Sequence, residues 1–142
     1  MATVSALLKH KGRLIHSVPP DAPVLDAIKE MAERGVGALL VMQHDRLLGV
    51  VSERDYARKV ILKGRSSSET LVSQIMSTPV LTVRLDQSVN DCMRIMSESR
   101  VRHLPVLDGE RVVGVLSIGD LVRAVLEEQQ QTIEQLEHYI HS

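Results

Sequence analysis

Two segments of the chain carry a serine and an aspartate at the same spacing. Residues 49–55 read Gly-Val-Val-Ser-Glu-Arg-Asp, and residues 114–120 read Gly-Val-Leu-Ser-Ile-Gly-Asp. A serine followed three residues later by an acidic residue is typical of a capping box, which satisfies free N–H groups at a helix start. The pattern occurs twice, each time at the end of a predicted strand, and this repetition also favours a ligand site. A helix cap and a ligand site therefore both stay open at this point.

These two segments belong to an internal repeat that organises most of the chain. A shift of 65 residues places Val18–Val60 on Val83–Val125 without a gap. Identical pairs include Asp26 with Asp91, Met31 with Met96, Gly49 with Gly114, and Arg58 with Arg123. Each copy is one supersecondary unit that does not bury its apolar side alone, so the two copies are expected to pack face to face.

Each copy predicts a helix, a strand, a turn, a second strand and a second helix, which is an α/β fold. In the first copy Asp21 is expected to cap a helix that ends at Gly35. Ala38–Met42 and Leu47–Val51 have the continuous apolar character of buried strands. The second copy predicts the same order, with Asp86 as the cap. We expect an N-terminal helix in residues 1–13, repeats in residues 14–62 and 79–126, a linker in residues 63–78 and a helical tail in residues 127–142.

The composition excludes several classes of function. The chain has 17 Lys and Arg against 18 Asp and Glu, a net charge of −1, so no nucleic-acid partner is expected. The single cysteine, Cys92, excludes an internal disulfide. No apolar run approaches the roughly 20 residues of a membrane helix, and no signal peptide is visible, which predicts a cytoplasmic protein without a membrane partner. No nucleophile–base pair or metal-ligand set stands out, so neither catalysis nor a metal site is predicted.

The repeat and its motifs resemble a tandem pair of cystathionine-β-synthase (CBS) domains. The resemblance rests on the two Gly-x-x-Ser-x-x-Asp segments and on Val-Arg-His-Leu-Pro-Val at residues 101–106, and it covers about Leu14 to Leu126. It implies two β-α-β-β-α repeats packed sheet to sheet, with two pseudo-symmetric clefts at their interface. Such clefts commonly bind AMP, ADP, ATP, NAD(H) or S-adenosylmethionine, and such modules usually form homodimers.

The resemblance assigns Asp120 to a ribose diol and Ser117 to the ribose–phosphate region of one cleft. The chemistry is suitable, because an ionised carboxylate accepts bonds from both hydroxyls and a helix N-terminus attracts a phosphate. Basic residues often face ligand phosphates in this family. The family also exchanges leading strands between repeats, which adds the segment that enters the first copy. The further candidates for this cleft are Val101, Arg102, His103, Lys11 and His16.

The other cleft is expected to be poorer in positive charge. Gly37 and Ala38 stand where the second copy has Arg102 and His103. No cation of its own is evident, so either Arg54 or a partner chain supplies one, or the cleft is empty or structural. The cleft residues implied by the resemblance are Asp55, Ser52, Val36, Gly37, Ala38, Thr78, Val80 and Arg54. We therefore predict that the Asp120 cleft binds nucleotide more tightly.

Two functions from different classes follow. The first is a non-catalytic regulatory module that senses an adenosine nucleotide and transmits occupancy to a separate, unknown effector protein. The alternative is a structural dimerisation or adaptor protein, in which Ser52, Asp55, Ser117 and Asp120 are only helix caps. The Arg102–His103 pair favours the first function, since a cap does not require it.

An apolar stripe continues beyond the second copy. Val122, Leu126, Ile133, Leu136 and Ile140 recur on one helix face, and Gln129 occupies the missing position. The stripe packs either on its own module or against a second copy, and a helix of this length favours dimerisation.

Overall fold

The computed structural model describes residues 2–141, which form two compact units. One unit is Ile15–Leu81, which holds the first repeat. The other combines residues 2–14 with the second repeat and the helical tail, residues 82–141. The N-terminal segment is therefore part of the second repeat's unit, although it precedes the first repeat in the chain.

The N-terminal segment forms helix α1, Val4–Lys11. The Thr3 side chain accepts a hydrogen bond from the Ala6 N–H at 3.2 Å and caps the helix. Gly12 ends it with a φ of 99°, a conformation that glycine adopts without the strain of a Cβ atom. Val4 and Leu8 are completely buried, so α1 is a structural part of its unit.

The first repeat forms a three-stranded sheet with helices at its ends. Its elements in order are β1 Ser17–Val18, α2 Val24–Arg34, β2 Ala38–Gln43, β3 Arg46–Ser52, α3 Glu53–Tyr56 and α4 Val72–Ile75. A π-helical turn, Ala57–Ile61, continues α3. Strand β1 pairs with β2 in parallel, and β2 pairs with β3 in antiparallel orientation.

The second repeat reproduces this topology. Its elements are β4 Val83–Arg84, α5 Val89–Ser99, β5 His103–Asp108, β6 Arg111–Ser117 and α6 Ile118–His141. Strands β4 and β5 are parallel, and β5 and β6 are antiparallel. The register shifts after Val41 in one sheet and after Val106 in the other, positions that are equivalent in the repeat. The predicted α/β class is therefore confirmed.

Each unit has its own apolar core, because its central strands are buried on both faces. Fully buried residues of the first sheet are Leu39, Val41 and Val51; their equivalents in the second are Leu104, Val106 and Leu116. Cys92 is completely buried under the second sheet, and burial raises the pKa of its thiol to about 11. Cys92 is a core residue, as is Ala27, which occupies the equivalent position in the first repeat.

Two sequence expectations about local structure are wrong. The N-cap of α2 is Pro23, which makes no side-chain capping bond, and the N-cap of α5 is Ser88, whose side chain accepts from the Asp91 N–H. Asp21 and Asp86 each lie two residues before these caps, too early in the chain to reach the first turn. The leading strands are also not exchanged, since β1 pairs with β2 and β4 with β5 in the same repeat.

Helix α6 has 24 residues and extends well past the sheet of its unit. Its residues from Leu126 to His141 are all exposed. None of the helices in residues 2–141 combines the length and the apolar character needed to cross a membrane.

Candidate functional site

Asp120 lies at the junction where β6 ends and α6 begins. It is 8% exposed, one of the few buried polar residues in the described chain. Its Oδ2 accepts a hydrogen bond from the Ser117 N–H at 2.8 Å, and its own N–H donates to Ser117 Oγ at 3.2 Å. These reciprocal bonds are the capping box that the Ser-x-x-Asp pattern predicts.

The Asp120 carboxylate also contacts two cations, which a helix cap does not need. Lys11 Nζ, at the end of α1, lies 2.5 Å from Oδ2 and also donates to the Val115 carbonyl. Arg123 Nη2, one turn along α6, lies 2.8 Å from Oδ1. Lys11 and Asp120 are 109 positions apart in the sequence, so only the fold brings them together. Both carboxylate oxygens are therefore already engaged by N–H donors.

These contacts keep Asp120 ionised. Burial raises the pKa of its carboxyl, but the hydrogen bond from Lys11 and the bonds from Ser117 outweigh burial and lower it below its usual value. At neutral pH the group is a carboxylate, which only accepts hydrogen bonds.

Arg102 and His103 lie beside the same helix start. His103 is the first residue of β5 and is the Cα partner of Ser117 across the sheet. The Ile118 N–H donates to the Arg102 carbonyl at 2.9 Å. Arg102 is exposed, whereas His103 is half-buried. Four residues that carry or acquire positive charge thus adjoin one aspartate in this unit: Lys11, Arg102, His103 and Arg123.

His103 is neutral at neutral pH. Burial lowers the pKa of its imidazole, and the positive charges of Lys11 and Arg102 lower it further, against the opposing effect of Asp120. The unfolded chain, with an imidazole pKa of about 6.5, then binds more protons than the folded chain just below that pH. The contribution of His103 to the free energy of unfolding is therefore fully present above about pH 6.5. This contribution is lost as the pH falls towards the imidazole pKa of the folded chain.

We therefore expect His103→Gln to flatten the pH dependence of stability below about pH 6.5, by at most about 1.4 kcal/mol per pH unit for one proton. Urea unfolding at a series of pH values measures this slope. His138→Gln, on the exposed end of α6, is the matched control and should leave it unchanged. A slope in His103→Gln as steep as in the parent chain would contradict the assignment.

The equivalent site of the first repeat is built on the same cap. Asp55 Oδ2 accepts from the Ser52 N–H at 2.9 Å, and Ser52 Oγ accepts from the Asp55 N–H at 3.1 Å. Lys59 Nζ lies 3.2 Å from Asp55 Oδ1, and Ser77 Oγ donates to the same oxygen at 3.3 Å. The expectation that this site has no cation of its own is wrong. Lys59 is four residues after Asp55, one helical turn, and this spacing is visible in the sequence.

The other candidates of the first repeat lie along the same strand ends. Ala38 is the Cα partner of Ser52, and the Gly37 carbonyl accepts from the Glu53 N–H at 3.1 Å. Arg54 is exposed, and the ion pair to Asp55 comes from Lys59 instead.

The remaining candidates are placed by backbone contacts. The His16 carbonyl accepts from Leu40, so His16 lies in the unit of the first repeat, whereas Lys11 lies in the other unit. Thr78 and Val80 follow Ser77, which exchanges backbone bonds with Val50. Val36 and Val101 occupy equivalent half-buried positions after α2 and α5.

Comparison with known proteins identifies the family. A family model of the CBS domain matches residues 13–62 and 72–127. The chain belongs to the CBS-domain family. The CBS domain-containing protein CBSX3, mitochondrial, of Arabidopsis thaliana is 38% identical over 97% of this chain and 71% of its own length.

Solved structures of other CBS-domain proteins have the same fold as this chain. A protein with CBS domains from Burkholderia ambifaria is 51% identical, with a TM-score of 0.87 over 90% of this chain and 96% of its own. The CBS domain pair of protein MJ0100, in complex with 5′-methylthioadenosine and S-adenosyl-L-methionine, is 22% identical, with a TM-score of 0.80 over 90% of this chain and 98% of its own. At that identity the second comparison supports the fold alone.

The two motif sites of this CBS pair differ in charge. The Asp55 carboxylate contacts one lysine and the hydroxyls of Ser52 and Ser77. The Asp120 carboxylate contacts a lysine and an arginine, with Arg102 and His103 beside it. Lys11, Arg102 and Arg123 thus lie near one carboxylate in the second site, and Glu127 and Glu128 line the cavity beside Lys11 and Arg123. Ammonium and guanidinium groups are suited to an anionic group such as a phosphate.

Proposed function

We propose that this CBS pair is a non-catalytic regulatory module that binds an adenosine-containing nucleotide at Asp120 and transmits its occupancy to a separate effector protein. The observation that carries the proposal is the pair of cations on the buried Asp120 carboxylate, since a helix cap alone requires neither. The ligand class is supported by the fold, because MJ0100 holds two adenosine compounds on it. The Burkholderia relative is described as a candidate signal-transduction protein.

In the proposed complex, the hydrogen-bond donors to the Asp120 carboxylate change. The two ribose hydroxyls donate to the Asp120 oxygens in place of Lys11 and Arg123, so the carboxylate keeps its hydrogen bonds. The released ammonium and guanidinium groups are then available to the ligand phosphate. Lys11 is one-third exposed and Arg123 two-thirds exposed, so both have the freedom to reorient. Arg102 adds positive charge on the strand side, and the neutral His103 imidazole offers one N–H donor there.

A panel of nucleotides tests this function. Any ligand that binds the folded chain alone at 100 times its Kd adds about 2.7 kcal/mol to the free energy of unfolding. We expect an upward shift of the Tm with at least one of AMP, ADP, ATP, NADH and S-adenosylmethionine, measured by differential scanning fluorimetry. GMP and GTP are the controls for the base. If no adenosine compound raises the Tm, the sensing function is wrong.

A structural adaptor is the second candidate function. It is favoured by one observation: Ser52–Asp55 and Ser117–Asp120 both form complete capping boxes without a ligand. In that case the chain serves to join partners, and the nucleotide panel gives no shift. The cytoplasmic location stays a prediction, since the Arabidopsis relative is named as mitochondrial.

A further inference from the structure

Two cations contact the Asp120 carboxylate, and Lys11 is the more firmly held of the two. Its ammonium donates to Asp120 Oδ2 and to the Val115 carbonyl, both at 2.5 Å. Its side chain is also less exposed than that of Arg123. Arg123 has Glu127 four residues further along α6, a spacing that allows an ion pair on one helix face. A ligand therefore displaces Arg123 more easily than it displaces Lys11.

The helix that carries Lys11 is fixed to its unit. Val4 and Leu8 are completely buried, and the Val4 N–H donates to the Gln87 carbonyl at 2.9 Å. Leu8 lies less than one helical turn before Lys11. Because the backbone of α1 is held close to the site, the ammonium can change its rotamer but remains within reach of Asp120. A ligand that binds this carboxylate must therefore meet the ammonium.

The first repeat shows that a capping box does not require such a lysine. A Cβ atom on Gly114 would lie 2.8 Å from Leu8 Cδ2, and one on Gly49 would lie 2.7 Å from Met76 Sδ. Because the two glycines are equivalent in the repeat, α1 and the segment that begins with α4 dock at equivalent positions. Helix α4 ends before Met76, whereas α1 continues past Leu8 to Lys11. Within residues 2–141, the extension that carries Lys11 has no counterpart at the first motif site.

We propose that Lys11 makes the Asp120 site specific for adenosine compounds that carry a phosphate. The inference rests on the function proposed above and adds to it the residue that selects the ligand. In the structure, the ammonium of Lys11 occupies the position beside Asp120 Oδ2 that a ribose hydroxyl requires. A nucleoside that takes this position separates an ion pair and supplies no anion in return. A nucleotide supplies one, because its phosphate replaces the carboxylate as the partner of the ammonium.

Lys11 therefore has opposite effects on the two classes of compound. It competes with the ribose of adenosine, and it attracts the phosphate of AMP. A hydrogen bond to a charged group changes an affinity by roughly ten- to a hundredfold. We therefore expect AMP to bind the parent chain at least about tenfold more tightly than adenosine does.

Lys11→Met tests this selection, because it removes the ammonium and keeps an unbranched side chain of similar length. The Kd of adenosine should fall and the Kd of AMP should rise, so the preference for AMP should decrease by at least about tenfold. The carboxylate of Asp120 keeps its contacts with Arg123 and with the Ser117 N–H in this variant. Isothermal titration calorimetry measures both Kd values for each chain.

Two further variants separate charge at this position from other effects. Lys9→Met makes the same chemical change at an exposed position on the same helix and should leave both Kd values unchanged. Lys11→Arg keeps a positive charge at the site and should retain the preference for AMP. Thermal melting followed by circular dichroism establishes that each variant is folded before the titrations.

The results distinguish this inference from the proposed function. Equal Kd values for AMP and adenosine in the parent chain, or equal changes of both in Lys11→Met, would refute selection by Lys11 and leave nucleotide binding intact. If neither compound binds any of these chains, selection by Lys11 is also refuted, and the nucleotide panel decides separately whether the proposed function fails.

Discussion

Asp120→Ala is expected to abolish the Tm shift that an adenosine nucleotide produces. The carboxylate accepts both ribose hydroxyls in the proposed complex, and each charge-assisted bond contributes about 1.5–3 kcal/mol. Loss of two such bonds weakens binding by at least about a hundredfold. The measurement is the ligand-induced Tm shift at a fixed ligand concentration, followed by calorimetric titration.

The matched control is Asp55→Ala in the first repeat. Both variants lose a capping box, which costs about 1 kcal/mol of stability, so both should melt at a lower temperature without ligand. The comparison therefore uses the ligand-induced shift, which Asp55→Ala should largely retain because its site has one contacting lysine and lacks a counterpart of Arg102 and His103. Equal losses in the two variants would refute the ranking of the sites.

Leu8→Ala is expected to cause the largest loss of stability among single truncations on α1. Leu8 is fully buried, and it packs so closely against β6 that a Cβ atom on Gly114 would lie 2.8 Å from its Cδ2. Truncation of a buried leucine costs about 2–5 kcal/mol, because apolar contacts are lost and a cavity remains. Urea unfolding followed by circular dichroism gives the difference.

Leu14→Ala makes the same chemical change at a residue that is 75% exposed. It should change the free energy of unfolding by no more than about 0.5 kcal/mol. If Leu8→Ala lowered the free energy of unfolding as little as Leu14→Ala does, α1 would not be an integral part of its unit. In that case α1 would not position Lys11 either.

Much of the fold was predictable because it is encoded locally and twice. The apolar runs at 38–42 and 47–51 predict β2 and β3, and the observed strands Ala38–Gln43 and Arg46–Ser52 extend them by one or two residues. The helix start at Ser117 was predictable for the same reason, since the serine and aspartate of a capping box are neighbours in the sequence.

The errors concern features that depend on dihedral angles or on distant residues. Asp86 and Ser88 are both good N-cap types, and only the backbone conformation of Ser88 selects it. The ion pair of Asp120 with Arg123 follows from helical spacing, whereas that with Lys11 requires the docking of α1. Lys11 was a sequence candidate on family resemblance, but the sequence does not indicate this contact.

The unit that holds Asp120 is assembled from two stretches of chain that the ribosome produces at different times. Lys11 emerges 109 residues before its partner. At about 5–20 residues per second, α1 waits roughly 5–20 s before β6 and the start of α6 are available. During that interval Leu8 and Val4 lack the core of the second repeat in which the finished unit buries them. Docking of α1 is therefore a late event in biosynthesis, and the Asp120 site is completed only after the first repeat has been fully translated.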